Sequence, residues 1–479
     1  MNFKLVFKVT GKALMVEAAA MVLPMLVGLL YRENPVPFLL AILITAAVGG
    51  LLSLLPSDNK LFAREGFFTV GLIWVLFGMS GALPFWFSGQ FGPYVDCVFE
   101  AISGFTTTGA SILTAVEGLP MGLLFWRSFT HWLGGMGVLV LTIALLPSLG
   151  ARSAFLMQAE SPGPVKSKLV PKTAQSSKIL YGIYLGLTLI QMLCLKLTGM
   201  PLYDSAVNAF ATAGTGGFAV KNLSIAAYNN PAAEIIITIF MILFAVNFAT
   251  YFLLLCGKWK KALKSDELLF FLAIVLFSGL LIAANIYGAH AEDFGTALRH
   301  SFFQVASIVS TTGFSTANFD IWPMLSRILL VLLMFMGACA GSTGGGIKST
   351  RVLLLFKNLR REIHRIIHPR SVHVVRLNGQ VVEEPVLNTA HIFLAAYLFI
   401  LAGGALLVSL DNFSFTTTTT AVISCLSNIG PGLDAVGPMG NFAAFSALSK
   451  VVLSLCMVIG RIEIFPILVL FSKNAWKRS

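Results

Sequence analysis

The sequence predicts an all-α polytopic membrane protein, with two N-terminal helices and four helix–re-entrant helix–helix repeats about a pseudo-fourfold axis. Three observations carry this. Of 479 residues, 57% are hydrophobic and 11% charged, whereas a soluble domain has about a quarter of its residues charged. The apolar residues fall in runs of about 20, the length that crosses a hydrocarbon core. A polar, glycine-bearing segment recurs between pairs of these runs. The composition excludes a soluble enzyme, and a mean hydropathy of +0.84 excludes a disordered chain.

The first element is the run after the basic start MNFKLVFK. A signal peptide has similar features, but this run is long enough to span and further spans follow, so a retained helix is expected. Helices are expected near 13–31 and 37–56, then in pairs at 67–86 and 122–147, 179–199 and 232–256, 268–289 and 322–347, and 387–410 and 443–471. The corresponding units are a hairpin over 1–60 and repeats over 61–150, 151–264, 265–376 and 377–479. Most of the 33 Lys and Arg residues fall at the N-terminus, at 60–64, 152–178, 258–264 and 348–376, and in the tail. In a ten-span chain these segments share one side. The positive-inside rule makes that side cytosolic, with both termini there. The net charge of +12 is therefore mainly a topology signal rather than a nucleic-acid footprint. Six dispersed cysteines without C-x-x-C spacing predict neither a disulfide framework nor a zinc site.

The connectors inside the four pairs carry FTTTGAS (105–111), GTGGFA (214–219), STTGFS (310–315) and SNIGPG (427–432). They align on Gly109, Gly217, Gly313 and Gly430, about 100 residues apart, one helix pair each. Six residues earlier stand Ser103, Ala211, Ser307 and Ser424; two later stand Ser111, Ala219, Ser315 and Gly432, all small. Asp96 and Asp204, thirteen before the glycine, suit a helix N-terminus. About twelve apolar residues precede each glycine, enough to enter a membrane but too few to cross it. This predicts a re-entrant helix followed by extended backbone, tolerated at membrane depth only where it is buried or lines a wet path. Four such segments about one axis make rings of carbonyls that replace the hydration shell of a monovalent cation. No acidic residue occupies the glycine columns, which disfavours a divalent-cation filter.

TTTGAS, TGGF, STTGFS and SNIGPG, with HWLGGMG (131–137) and MVIGRIEIFP (457–466), resemble the Trk/Ktr/HKT potassium transporters over nearly the whole chain. The extra helix pair at 13–56 resembles the bacterial TrkH branch rather than the shorter KtrB branch. The resemblance implies one pore per subunit, a homodimer, and a cytosolic RCK-type nucleotide-binding ring (TrkA-like). It implies filter carbonyls at Thr107 and Thr108, Thr215 and Gly216, Thr311 and Thr312, and Asn428 and Ile429, with Gly109, Gly217, Gly313 and Gly430 in the same filter. Adjacent Gly216 and Gly217 leave the second register open by one residue, and Ile429 and Pro431 make the fourth wall the least regular. One glycine per repeat implies incomplete selectivity for potassium over sodium. The resemblance also implies potassium as the bound substrate, and no cofactor is expected.

Gly337, Gly341, Gly344, Gly345 and Gly346 fall inside GACAGSTGGGIKST (337–350). Three consecutive glycines do not hold a helix, so an unwound loop below the filter is expected, which the resemblance also implies; a small-residue packing face is the alternative. The stretch mimics a phosphate loop, but Ile347 intervenes before Lys348 and no strand precedes it. Arg461 lies in an apolar run, a costly place for a charge and usually a functional one. The resemblance sets it under the filter beside the loop; an ion pair with Glu463 or another helix is the alternative. Lys450 either faces the filter from the outer half of the span or snorkels to the surface. Glu117, Asp293, Asp320 and Asp434 either gather cations at the mouth or form a solvated surface. His364 and His368 read as part of a basic cytosolic helix rather than a metal site, and Thr416–Thr420 as part of the fourth re-entrant helix. Glu17, Glu234 and Glu463 are the acids available to a proton- or sodium-coupled carrier. No triad, metal cluster or nucleotide motif points to an enzyme.

Overall fold

The computed structural model describes residues 2–56, 63–137, 173–371 and 373–464. Among these, six helices are long and apolar enough to cross a membrane, or seven if one bent pair counts as a span. Their outward faces are bare hydrocarbon: Leu51, Leu193, Phe277 and Phe399 are all well exposed, as a lipid-facing surface requires.

The N-terminal hairpin pairs Phe3–Leu30 with Val36–Ser53. The backbones meet at Gly11 and Gly49, where a methyl group on Gly11 would stand 2.6 Å from Ser53 N. Such small-residue crossings drive helix association in lipid. The hairpin is also tied to the first repeat. Glu33 accepts hydrogen bonds from the N–H groups of Met121 and Gly122, the latter at 2.9 Å, at the start of the helix Met121–Gly135. An anion at a helix N-terminus satisfies orphan donors and meets the positive end of the dipole. Glu33→Ala is expected to lower stability by about 1 kcal/mol, read as a fall in the melting temperature of the detergent-solubilised protein.

The four repeats share one plan. An outer helix leads to a short helix: Tyr94–Phe105, Leu202–Gly214, Phe294–Val309 or Phe415–Ser427. Pro93, Pro201, Asp293 and Ser414 precede them, and the last two accept capping hydrogen bonds from Thr296 N and Thr417 N. The second half of each short helix is almost wholly buried. In the threonine run, Thr417, Thr418 and Thr420 are buried as expected, whereas Thr416 is exposed.

The inner helices are shorter than the spans expected over 122–147, 232–256 and 443–471, while the third, expected over 322–347, breaks where the glycine-rich stretch predicts an unwound loop. The helices observed are Met121–Gly135, Pro231–Ala245, Met324–Met336 and Ala447–Arg461; residues 138–147 and 465–471 lie outside the described part. The second bends by 91° into Phe248–Leu255. The third gives way to coil at Gly337, and after the fourth Glu463 and Ile464 are left-handed. The four inner helices stop 26, 28, 23 and 31 residues beyond the column glycine. For the second and third the physical reason is competition for backbone groups: Cys339 N donates to Ala245 O and Phe248 N to Gly341 O, each at 3.0 Å. These tertiary bonds replace helical ones, and an apolar run does not announce them.

Beyond the coil, the helix Ser349–Ile367 leads to a two-strand hairpin, Arg376–Leu377 with Gln380–Val381, turned at Asn378-Gly379 with both φ positive. Lys357 Nζ reaches Asp266 at 2.6 Å. The basic segment is thereby held beside the start of the helix Asp266–Ile286.

Candidate ion-permeation site

Each short helix ends in the same cap. The N–H groups of Thr107, Thr215, Thr311 and Asn428 donate three residues back, to Gly104, Thr212, Ile308 and Cys425. The next N–H groups donate five residues back, from Thr108 to Ser103, Gly216 to Ala211, Thr312 to Ser307 and Ile429 to Ser424, at 2.8–3.0 Å. Thr107, Thr215, Thr311 and Asn428 are left-handed, with φ of 56°, 56°, 61° and 56°. Gly109, Gly217, Gly313 and Gly430 are left-handed again, at 81°, 76°, 81° and 100°. The open register of the second repeat is thus resolved: Gly217 takes the column position and Gly216 matches Thr108, Thr312 and Ile429. The residue between the two left-handed positions is not left-handed. Alternating backbone hand brings neighbouring carbonyls to one side of the chain, unlike a β-strand, in which successive residues face opposite ways.

The four segments meet in a closed ring. A methyl group on Gly109 would stand 1.9 Å from Gly216 O, one on Gly217 2.0 Å from Thr312 O, one on Gly313 2.1 Å from Ile429 O, and one on Gly430 2.7 Å from Thr108 O. Each repeat leans its glycine on the preceding carbonyl of the next, and the fourth returns to the first. All four glycines, with Ser111, Ala219 and Ser315, line one cavity of roughly 230 Å³. The small column six residues before each glycine lets the strand fold back over its helix, and Ser307 Oγ and Ser424 Oγ donate to Phe314 O and Gly430 O at 2.6 and 2.7 Å.

The HWLGGMG segment packs behind the ring. His131 Nδ1 lies 2.7 Å from Gly104 O, and its Nε2 accepts from Phe218 N at 3.3 Å, roles that one neutral tautomer fills. Gly134 and Gly135 press on Phe105 O and Gly214. No larger residue fits there.

Below the ring lies the coil that carries Gly337, Gly341, Gly344, Gly345 and Gly346. Gly345 N donates to Thr311 Oγ1 at 2.7 Å. A methyl group on Gly344 would stand 2.7 Å from Ser310 O, and one on Gly345 2.4 Å from Ser427 O. The coil therefore touches two of the four walls directly. Arg461 holds it, with Nη1 donating to Thr343 O at 2.7 Å and Nη2 to Gly135 O at 2.8 Å, so its guanidinium bridges the coil and the first inner helix. Lys348 is buried, and its Nζ donates to Gly344 O.

This geometry has relatives. The family described as TrkH, cation transport protein, matches residues 36–478. The chain belongs to the TrkH family. It is 37% identical to the Trk system potassium uptake protein TrkH of Salmonella typhimurium, over the full length of both chains. It is 36% identical, over the same extent, to the protein of that name from Escherichia coli K12. Its fold matches the crystal structure of the potassium transporter TrkH from Vibrio parahaemolyticus with a TM-score of 0.89, at 32% identity and full coverage of both chains.

Within this TrkH-family frame several single residues take places that the sequence left open. Lys450 neither faces the ring alone nor snorkels: its Nζ pairs with Asp96 at 2.8 Å. Glu463 pairs with Arg351 at 2.6 Å, and Arg461 donates to the carbonyls of Thr343 and Gly135. Lys348 and Arg351, counted among the cytosolic basic residues, are buried in the protein. Asp434 accepts from Ser414 and Thr417, hydrogen bonds that hold its carboxyl below the ordinary range. Asp320 accepts from Asp434 N, Asp293 caps its helix and Glu117 accepts from Asn222 N. None of the four lines the cavity. His364 meets His373 edge-on with centroids 3.8 Å apart, and no group of three possible metal ligands occurs among the described residues. Sequence reasoning missed Arg127 paired with Glu100, and Glu267, which accepts from Ala340 N at 2.6 Å and from Ser349 and Thr350 and so clasps both ends of the coil. The only signal was a charge inside or at the edge of an apolar run.

Proposed function

We propose that the chain is the membrane subunit of a bacterial potassium-uptake system of the cytoplasmic membrane, conducting potassium through the ring of carbonyls. The observation that carries this reading is the closed fourfold contact of Gly109, Gly217, Gly313 and Gly430 with the carbonyls of Gly216, Thr312, Ile429 and Thr108. Oxygens so arranged replace the water around an alkali cation. The filter set is Thr107, Thr108, Thr215, Gly216, Thr311, Thr312, Asn428 and Ile429 with the four glycines. The gate is the coil bearing Gly337, Gly341 and Gly344–Gly346, latched by Arg461. The membrane potential drives entry, at about 2.3 kcal/mol per charge per 100 mV.

Both termini are assigned to the cytosol, and the basic segments there to a homodimer on an RCK-type nucleotide-binding ring. Support for the second component comes from the relatives, which are named as parts of a Trk system. A proton- or sodium-coupled symporter of the same fold is the rival. Its candidate acids are engaged: Glu17 by Ser80, Glu234 by Arg299 and Glu463 by Arg351.

The test is rubidium and sodium influx into proteoliposomes under an inside-negative potential, with and without a soluble RCK-type subunit. Rubidium influx above empty vesicles, faster than that of sodium and indifferent to proton or sodium gradients, is the expected result. Absent influx overturns the pore; influx that requires either gradient establishes the symporter. A response to the subunit and its nucleotide supports the regulatory assignment, and indifference removes it.

A further inference from the structure

The four walls of the ring are not braced alike. In the first repeat Glu100, nine residues before the glycine, accepts from Ser111 Oγ at 2.9 Å and Ile112 N at 3.0 Å, so it holds the strand beyond Gly109. In the second, Asn208 instead reaches Tyr228 Oη at 3.3 Å. In the third, neither amide atom of the buried Gln304 has a protein partner. The fourth has Ala421 at that position.

Arg127 extends the first brace across to the second wall. It stands on the helix Met121–Gly135 and is 2% exposed. Its Nε donates to Glu100 Oε1 at 2.8 Å, and Nη2 lies 2.8 Å from the same oxygen. Nη2 also donates to Ser111 Oγ and Nη1 to Ala219 O, each at 3.3 Å. Its Cζ lies 4.1 Å from the centre of the Phe218 ring. Ser111 and Ala219 are the same column position in neighbouring repeats, two residues past the glycine. One planar guanidinium therefore spans the seam between two walls at the entrance of the ring, on the wall of the cavity where the four glycines meet. That wall also carries Lys221 and no carboxylate, so Glu100 behind the strand is what offsets the Arg127 charge.

We propose that Arg127 is a positioning residue that sets discrimination among alkali cations, by fixing the separation of the first two walls. The inference rests on the pore reading above. Selectivity by carbonyl rings depends on the spacing and field of the oxygens. A buried, charge-assisted fork is the stiffest available tie between two backbone strands. Lysine keeps the charge but has no planar fork, so it cannot hold both strands.

The test uses the full-length protein in proteoliposomes, with rubidium and sodium influx measured under one potential. Wild type that carries no rubidium defeats the pore reading itself. Given rubidium influx, Arg127→Lys is expected to lower the rubidium-to-sodium ratio about tenfold, chiefly by raising sodium influx, as loss of one charged hydrogen bond implies. Ser111→Ala, which removes the hydroxyl that accepts from Arg127 and donates to Glu100 but leaves the guanidinium, Glu100 and Ala219 in place, is expected to lower it about threefold. An unchanged ratio in Arg127→Lys, including the case where both influxes fall together, overturns the proposal, because a merely structural role scales both. Should Arg127→Lys fail to insert, Ser111→Ala decides alone, and an unchanged ratio there is equally fatal.

Discussion

Gly313→Ala is expected to abolish rubidium uptake while leaving membrane insertion intact. The added carbon would stand 2.1 Å from Ile429 O and 2.9 Å from Pro431 Cδ, both parts of the adjoining wall. No side-chain movement relieves this, because the first obstacle is a backbone oxygen of the ring. The φ of +81° adds strain of about 1–2 kcal/mol for any residue with a Cβ. The damage is local: the helices around the ring bury the same apolar surface in the variant. Gly403→Ala is the matched control. It lies in the helix Glu384–Val408 with nothing within 4 Å of the added carbon, so uptake is expected to be unchanged. Rubidium influx at equal reconstituted amounts checks both, and normal influx in Gly313→Ala removes the ring from the conduction path.

The second large effect has the opposite sign. Arg461→Ala is expected to raise rubidium influx by about a hundredfold in the absence of any cytosolic subunit, since two like charges about 6 Å apart repel by about 3 kcal/mol at an effective dielectric constant near 20, and each 1.4 kcal/mol is about a factor of ten. The change also frees Thr343 O and Gly135 O, so the coil loses its tie to the first inner helix. Arg461→Lys keeps the charge without the fork and is expected to fall between the two. Deleting residues 337–346 is expected to move influx in the same direction as Arg461→Ala. Influx equal to wild type in both Arg461→Ala and the deletion excludes the coil and the arginine from gating.

Much of this architecture is legible in the chain because membranes restrict what a backbone can do. The columns at Ser103 and Gly109, repeated three times, stand out since each small residue answers to a steric demand that recurs in every repeat. The register at Gly216 and Gly217 does not, because composition alone cannot say which of two glycines bends left-handed; the contact with Thr312 O does. The break after Ala245 is hidden in an apolar run, since it is imposed by Cys339 and Gly341 from another repeat. Ion pairs are hidden for the same reason. Glu100 and Arg127 are 27 residues apart, and Asp96 and Lys450 are 354 apart, so only the packed fold shows who neutralises whom.

The mutual support of the four walls also governs when during synthesis the ring can be completed. Asn428 donates to Thr108 Oγ1 across 320 residues of chain, and Gly430 rests on the carbonyl of the same threonine. A nascent polypeptide that has threaded only its first three quarters into the bilayer lacks one side of the aperture, and helices made early wait for the last to arrive. The aperture therefore closes only once the fourth re-entrant segment has been made, so completion of the ring is tied to the end of synthesis.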